Sequence, residues 1–362
     1  MKICHMTSVH SSLDDRIFLK ECVSLAKAGY KTYLVAPGNS FERNGVIVEG
    51  VGNIDTSRIQ RMVKLTRNIY FKALDIDAEV YHIHDPELLP YALKLKKRGK
   101  KVIFDSHEDV PRQILAKEWL PKICRCAISQ AYECYQRKVA RKLDYIITAT
   151  PHIENIFKEY GAKAKAIRNY PILDDINVSN ADYYERHQIL CYAGGLTEQR
   201  GIGELVDVSN KLGIELHLAG EIDDKYKERL VREKICENVI FEGSLNRKQI
   251  CELYGKSRVG MALLHPTPNH INALAIKLFE YMAAGLPIIC SNFPLWKEIV
   301  EKNGCGICVN PYKENEILKA VQFLLENEKE AKKMGDCGKK CVAEKFDWKN
   351  EQKLLLKIYS DI

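Results

Sequence analysis

The chain has 362 residues, 46% of them hydrophobic, with 55 Lys and Arg against 48 Asp and Glu and a formal net charge of +7. That length suffices for two or three domains with sizeable cores, and no long apolar run or signal-peptide core marks a spanning or exported chain, so a cytosolic protein is expected. Its 13 cysteines then read as reduced, mostly buried small side chains, and the C-x-x-C at Cys305 to Cys308 lacks a second pair at zinc spacing.

Residues 1–170 alternate short apolar runs with amphipathic ones. Strands are expected at Lys2–Met6, Thr32–Ala36, Val46–Val48, Val80–His84, Val102–Asp105 and Tyr145–Thr148. Between them lie helix patterns such as Phe18, Cys22, Leu25 and Ala26, closed by Gly29. This alternation predicts a parallel sheet covered on both faces. Asp14, Asp15 and Arg16 follow the first strand, where Asp14 or Asp15 is placed to cap the first helix. His82 and His84 share one face of a strand, as a metal-binding pair would. The remaining histidines offer no second matching pair, so no metal site is expected.

This half also carries the charge, about +10 for residues 1–170 against about −3 for the rest. It gathers in Arg61, Lys64, Arg67 and Lys72, and again in Lys94, Lys96, Lys97, Arg98, Lys100 and Lys101. Such runs are ordinarily solvated faces; the functional alternative is an anionic membrane surface. The run from Pro111 to Lys142, which mixes basic and apolar residues, suits the same reading. Nucleic acid is not an expected partner, because neither zinc-finger spacing nor an RNA-binding aromatic signature is present.

Residues 171–187 are polar and without periodicity and read as a linker between a first domain, 1–170, and a second, 188–345. There the alternation restarts, with strands expected in ILCYAGG, IELHLAG, VIFEG, VGMALL, PIIC and GICV. The chain is thus expected to form two doubly wound α/β domains. Ligands in such sheets bind beyond the carboxyl ends of the strands, so chemistry is expected in a cleft between them. Residues 346–362 form an amphipathic helix that could pack back on the first domain.

Two cations of the second domain stand where electrostatics disfavours them. Lys277 lies near the start of a helix that runs to Ala284, and Arg200 lies just before a helix beginning near Gly201. Helix N-termini carry partial positive charge, which costs a Lys there a few tenths of a kcal/mol unless an anion is close. The plain answer for Lys277 is an i,i+3 pair with Glu280, worth about 0.3 kcal/mol. The sharper answer is a diphosphate between the two helix starts, beside Gly194 and Gly195 after the first strand. Glu280 shares a side with Lys277, while Ile276, Phe279 and Ala283 fall on the core stripe; a carboxylate there could accept from ribose hydroxyls.

Across nearly its whole length the sequence resembles the family 4 glycosyltransferases of the GT-B fold. The resemblance rests on GGLTEQRGI, HLAGE, FEGSL, KLFEYMAAGLPIICSN and the Trp-containing last helix, and on HDPELLP and DSHEDVP in the first half. It implies transfer of a sugar from a nucleoside-diphosphate sugar to an acceptor hydroxyl with retention at the anomeric carbon. In that family two glutamates stand eight positions apart, one near the donor sugar and one on the ribose; Glu280 matches the second, and Asn272 replaces the first. The phosphate-binding Arg and Lys of the family fall on Gly195 and Arg200, so Lys277 could restore the missing cation. The resemblance places His107 beside the donor sugar, and Asp14, Asp15 and Arg16 on the acceptor side.

His107, Arg200 and Lys277 are therefore the catalytic candidates, and Gly194, Gly195, Arg200, Asn272, Lys277 and Glu280 the donor-binding ones. No cofactor or metal is needed by this scheme. The family also implies a glycan or lipid-linked acceptor in capsule, exopolysaccharide or lipopolysaccharide assembly, at the inner face of the plasma membrane. The alternatives are a nucleotide-sugar epimerase of the same fold, or a non-catalytic nucleotide-binding partner subunit, to which the Asn272 and Gly195 departures lend support.

Overall fold

The strands of both halves are apolar on two faces, which suits a sheet covered on each side by helices. The computed structural model describes residues 1–52, 61–117, 120–176, 178, 182–234 and 237–362. Two units are formed, Met1–Asn169 with Lys349–Ile362, and Tyr170–Trp348.

The first unit contains β1 (Lys2–Met6), β2 (Lys31–Ala36), β3 (Phe41–Arg43), β4 (Val46–Gly50), β5 (Val80–Ile83), β6 (Lys101–Ser106), β7 (Tyr145–Thr148) and β8 (Ala164–Ala166). Their order in the sheet is β3-β4-β2-β1-β5-β6-β7-β8. All neighbours are parallel except β3, which pairs antiparallel with β4. The short edge strands β3 and β8 were not expected. The β3–β4 hairpin turns at Asn44 and Gly45, both at positive φ, the two-residue connection that an Asn-Gly pair favours. Ile69, Ala73, Leu89 and Ala92 from the helices pack with Tyr81, Val102 and Phe104 of the sheet.

The second unit contains β9 (Ile189–Ala193), β10 (Glu215–Ala219), β11 (Val239–Gly243), β12 (Val259–Ala262), β13 (Ile288–Ser291) and β14 (Gly306–Val309). The order is β11-β10-β9-β12-β13-β14, parallel throughout. Residues 171–187, read as a linker, belong to this unit as far as they are described; 177 and 179–181 lie outside the described residues. Tyr183 and Arg186 are buried in it, with Tyr183 donating to the Arg258 carbonyl at 3.2 Å and Arg186 to the Ala284 carbonyl at 2.9 Å.

In each sheet the chain winds outward to one side of its first strand and then returns to build the other. The reversal falls between β1 and β5, and between β9 and β12. The crevice beyond the strand ends at such a point is where a doubly wound fold has room for a ligand. The last helix, Trp348–Ser360, contributes to the first unit: Glu351 accepts from the Arg168 backbone N–H at 2.9 Å, and Tyr359 is buried against His82. Among the described residues no helix is long and apolar enough to cross a membrane.

Candidate active site

At the β9/β12 reversal of the second unit, β9 runs into Gly194, whose φ of +132° is open to glycine and strained for other residues. A Cβ on Gly194 would lie 2.9 Å from Lys277 Nζ and 3.2 Å from Arg200 Nη1. One on Gly195 would lie 3.4 Å from Arg200 Nη1. The glycine pair therefore makes room for two cations that share one small space. Arg200 ends the single turn Glu198–Arg200, and Gly201, at φ +72°, opens the helix Ile202–Leu212. Any side chain on Gly201 would collide with the Leu263 carbonyl beyond β12, which holds this helix start against the strand ends.

Lys277 occupies the first turn of the helix Ile276–Ala283. The apolar spacing from Ile271 to Ala284 suggests one continuous helix. Instead a short turn, Pro268–Ile271, stops at Asn272, and Ala275 is extended before the new start. The core stripe also differs from expectation: Leu278, Phe279, Tyr281 and Met282 are buried, whereas Ile276 and Ala283 are half-buried. The helix Glu328–Lys345 covers Met282 through Gly338, and this second neighbour widens the buried face.

The pair between Lys277 and Glu280 does not form. Glu280 Oε1 accepts from Arg247 Nη1 at 2.5 Å and Oε2 from the Tyr254 hydroxyl at 2.9 Å. Lys277 Nζ is buried, makes no hydrogen bond among the described residues, and lies 3.6 Å from the centroid of the Tyr192 ring. Burial, and then the Arg200 charge, push its pKa well below the ordinary ammonium value, against a smaller opposing pull from Glu280. The pKa of His270 is lowered by burial and by the nearby Arg200 and Lys277 charges, and its Nδ1 donates to the His265 carbonyl at 3.0 Å. Asn272 is exposed just beyond this turn. Thus Gly194, Gly195, Arg200 and Lys277 come together, with Glu280 one turn further along the helix.

In the first unit the β1/β5 reversal gathers histidines and carboxylates. His107 follows β6, and its Nε2 lies 2.9 Å from Asp105 Oδ2. Asp105 also accepts from Arg16 Nε at 2.8 Å and Nη2 at 2.9 Å. Burial alone would raise the Asp105 pKa, but Arg16 and then His107 hold it well below the usual carboxylate range. Arg16, read as acceptor-facing, instead points inward, with Nη1 on the Ile167 carbonyl at 2.7 Å. The reason is the buried Asp105, whose charge needs a bidentate partner. Asp14 caps the helix Asp15–Cys22, accepting from the Arg16 and Ile17 backbone N–H groups at 2.9 Å each, while Asp15 pairs with Lys20 at 2.5 Å. Asp85 accepts from Thr7 Oγ1 at 2.9 Å, Ser8 N at 2.5 Å and Val9 N at 3.2 Å, fixing the loop after β1.

Asp85, Asp105, Tyr192, Arg247 and Tyr254 were missed as site residues. For Asp105 a signal existed, an acid at a strand end two positions before His107. Arg247 and Tyr254 gave none, since only the fold brings them to Glu280.

Two Rossmann-like units with these strand-end sites make the GT-B fold. Sucrose-phosphate synthase from Thermosynechococcus elongatus has the same fold, with a TM-score of 0.81 at 16% identity over 99% of this chain and 98% of that one. So does Anabaena Alr3699/HepE, solved with UDP-glucose, with a TM-score of 0.77 at 14% identity over 100% of both chains. The model of Glycosyltransferase Family 4 matches residues 18–170, and that of Glycosyl transferases group 1 matches residues 177–341. The chain belongs to the family 4 glycosyltransferases. Among characterised relatives it is similar to the MMP alpha-(1->4)-mannosyltransferase of Mycolicibacterium hassiacum, 20% identical over 293 residues, 76% of this chain and 69% of that protein.

Proposed function

We propose that the chain transfers a hexose from a nucleoside-diphosphate sugar to an acceptor hydroxyl, with retention of anomeric configuration and no divalent metal on the diphosphate. The observation that carries this reading is the buried Lys277 ammonium, without a hydrogen-bond partner among the described residues and beside the like-charged Arg200. Two cations held together in a water-poor corner repel each other, and a diphosphate would satisfy both. Charge grows on the departing diphosphate as the glycosidic bond breaks. Preorganised donors at that point act on the transition state, and removing one costs about 3 kcal/mol in barrier.

Glu280, steadied by Arg247 and Tyr254, keeps free lone pairs for the ribose hydroxyls. Asn272 would offer hydrogen bonds to the sugar. Asp105 engages His107 Nε2, which leaves Nδ1 as the nitrogen that would meet the donor sugar. Asp14 and Asp15 would line the acceptor approach. A mannosyltransferase among the relatives and a structural neighbour solved with UDP-glucose support a nucleotide sugar as donor.

The acceptor is proposed to be a lipid-linked glycan in capsule, exopolysaccharide or lipopolysaccharide assembly, with the chain cytoplasmic and peripheral at the inner face of the plasma membrane. Exposed apolar side chains interleaved with basic ones favour this: Ile123 is 93% exposed, and Met62, Val63, Phe71, Leu115 and Ile128 are also exposed. Glu118 and Trp119, in the same basic and apolar run, lie outside the described residues. The test is incubation with UDP- and GDP-sugars and lipid-linked oligosaccharide, reading nucleotide release and the anomeric coupling of the product by NMR. Release with the donor's configuration kept is expected. An inverted product refutes retention, and no release with any donor refutes transfer.

A further inference from the structure

At the heart of the first unit, four side chains from three elements converge. His5 lies on β1, His82 on β5 with His84 just past its end, and Glu21 on the helix Asp15–Cys22; none is more than 2% exposed. The sheet register sets His5 directly beside His82. One ligating atom from each of the four lies within 4.8 Å of every other. His5 Nδ1 is 2.9 Å from His84 Nε2, and Glu21 Oε2 is 3.8 Å from His82 Nδ1 and 4.0 Å from His84 Nε2. Zinc bonds to nitrogen or oxygen of about 2.0–2.1 Å make tetrahedral edges of about 3.3 Å, which these separations bracket.

Two further observations point to a ligand. Neither Glu21 oxygen accepts a hydrogen bond among the described residues, and His82 Nε2 has no partner there either. The Glu21 charge meets Arg16, whose Nε is 3.2 Å from Oε1, but Arg16 is shared with Asp105. A fully buried carboxylate left without hydrogen bonds is costly, and a dication is the ligand that most directly offsets it. His84 and His5 have the outer contacts of metal-binding histidines. His84 Nδ1 is 3.3 Å from Asp105 Oδ2, which turns Nε2 inward, and His5 Nε2 is 3.3 Å from the Tyr359 hydroxyl, which turns Nδ1 inward. Protein groups alone link the imidazoles in a chain from His82 through Tyr359, His5 and His84 to Asp105, in which His82 Nε2 stays without a partner among the described residues. Without an ion, Glu21 is satisfied only by keeping a proton shared with Asp105, and His82 Nε2 keeps no partner, so Glu21 decides between the two arrangements.

We propose that His5, Glu21, His82 and His84 bind one divalent transition-metal ion of the zinc class, as a structural ion tying β1, β5 and the first helix together. Three imidazoles and a carboxylate in a space of tetrahedral size suit zinc among the divalent ions. Through Asp105, which touches both His84 and His107, the ion would also stiffen the support of His107. This goes against the expectation of no metal drawn from histidine spacing, and it stands independently of the proposed transfer reaction.

The test is elemental analysis of the full chain, purified without chelators or a histidine tag, together with titration of metal-stripped protein with Co2+. About one zinc per chain that survives dialysis is expected, together with the intense visible absorption of tetrahedral Co2+. Glu21→Gln, which keeps the side-chain shape, should lose at least about tenfold in metal affinity, as should His82→Ala. Far-ultraviolet circular dichroism checks that each variant is folded, and the wild-type Co2+ titration stands without them. His107→Ala probes the adjoining trio His84, Asp105 and His107 and should retain the ion. Wild-type protein with neither zinc nor a tetrahedral Co2+ spectrum overturns the proposal. So does an ion that persists in Glu21→Gln and is lost in His107→Ala.

Discussion

Replacing Lys277 by Met separates what this side chain does for the fold from what it does for a ligand. In the free protein its ammonium is buried without a hydrogen bond among the described residues, next to Arg200 and over the face of the Tyr192 ring. Methionine keeps an unbranched apolar stem there and removes the unsatisfied group, whose burial costs about 1–3 kcal/mol. At about 2–4 °C per kcal/mol for a unit of this size, the free variant should melt roughly 2–12 °C higher than wild type. On the ligand side the same change deletes a charge-assisted hydrogen bond of about 1.5–3 kcal/mol to the diphosphate, so Kd for the cognate nucleoside diphosphate should rise roughly 10- to 150-fold. Differential scanning fluorimetry reads the first effect and isothermal titration calorimetry the second. A variant that melts lower than wild type and binds nucleotide unchanged would refute the reasoning, because Lys277 would then be an ordinary packing residue.

Nucleotide affinity should strengthen as pH falls toward the lowered pKa of Lys277 and flatten below it, because the bound diphosphate favours the charged form; calorimetry in buffers of different ionisation enthalpy should show proton uptake that Lys277→Met abolishes. For the free fold the sign is the reverse of the usual lysine case: the unfolded chain binds the extra proton between the lowered pKa and 10.5, so this residue's contribution to stability rises with pH through that window. Gly194→Ala should lose nucleotide binding at least tenfold by displacing Lys277, and should lower stability by about 1 kcal/mol or more from backbone strain at φ +132°, both readable by calorimetry and denaturant titration. Glu280→Gln should shrink the preference for a ribonucleotide over its 2′,3′-dideoxy analogue, measured as a ratio of Kd values. Asp105→Asn should destabilise the first unit by about 3–5 kcal/mol at neutral pH, since the buried Arg16 loses its bidentate carboxylate and keeps only Glu21 and the Ile167 carbonyl; the wild-type contribution is present above the unfolded value near 3.8 and is lost as pH falls through the lower folded one.

The alternation of strands and helices was legible because a doubly wound sheet writes itself as apolar runs bounded by turn residues; β7, β11 and β14 have the bounds expected of them. The edge strands β3 and β8 escaped because three residues are too few to show a period, although Asn44-Gly45 announced the β3–β4 hairpin. Lys277 and Arg200 were found by asking which charges stood at the wrong end of a helix. What local spacing could not supply was the third dimension. Lys277 and Glu280 are one turn apart in sequence, yet Glu280 turns to Arg247 and Tyr254, which lie on another helix. Arg16 reads with Asp14 and Asp15 as acceptor-side, but Asp105, far along the chain, claims its guanidinium. The histidine cluster stayed hidden for the same reason: His82 and His84 were visible as a pair, but His5 and Glu21 join them only through the β1–β5 register and the winding of the first helix.

The central claim is that Lys277 and Arg200 form a diphosphate site, and thermal shift with UDP, GDP and dTDP and their sugars tests it most directly. At about 100 times Kd, linkage gives about 2.7 kcal/mol of stabilisation for the cognate nucleotide. The account predicts a clear upward shift with one nucleotide family, lost in Arg200→Ala and reduced in Lys277→Met. No shift with any of them, or a shift unchanged in both variants, would contradict it.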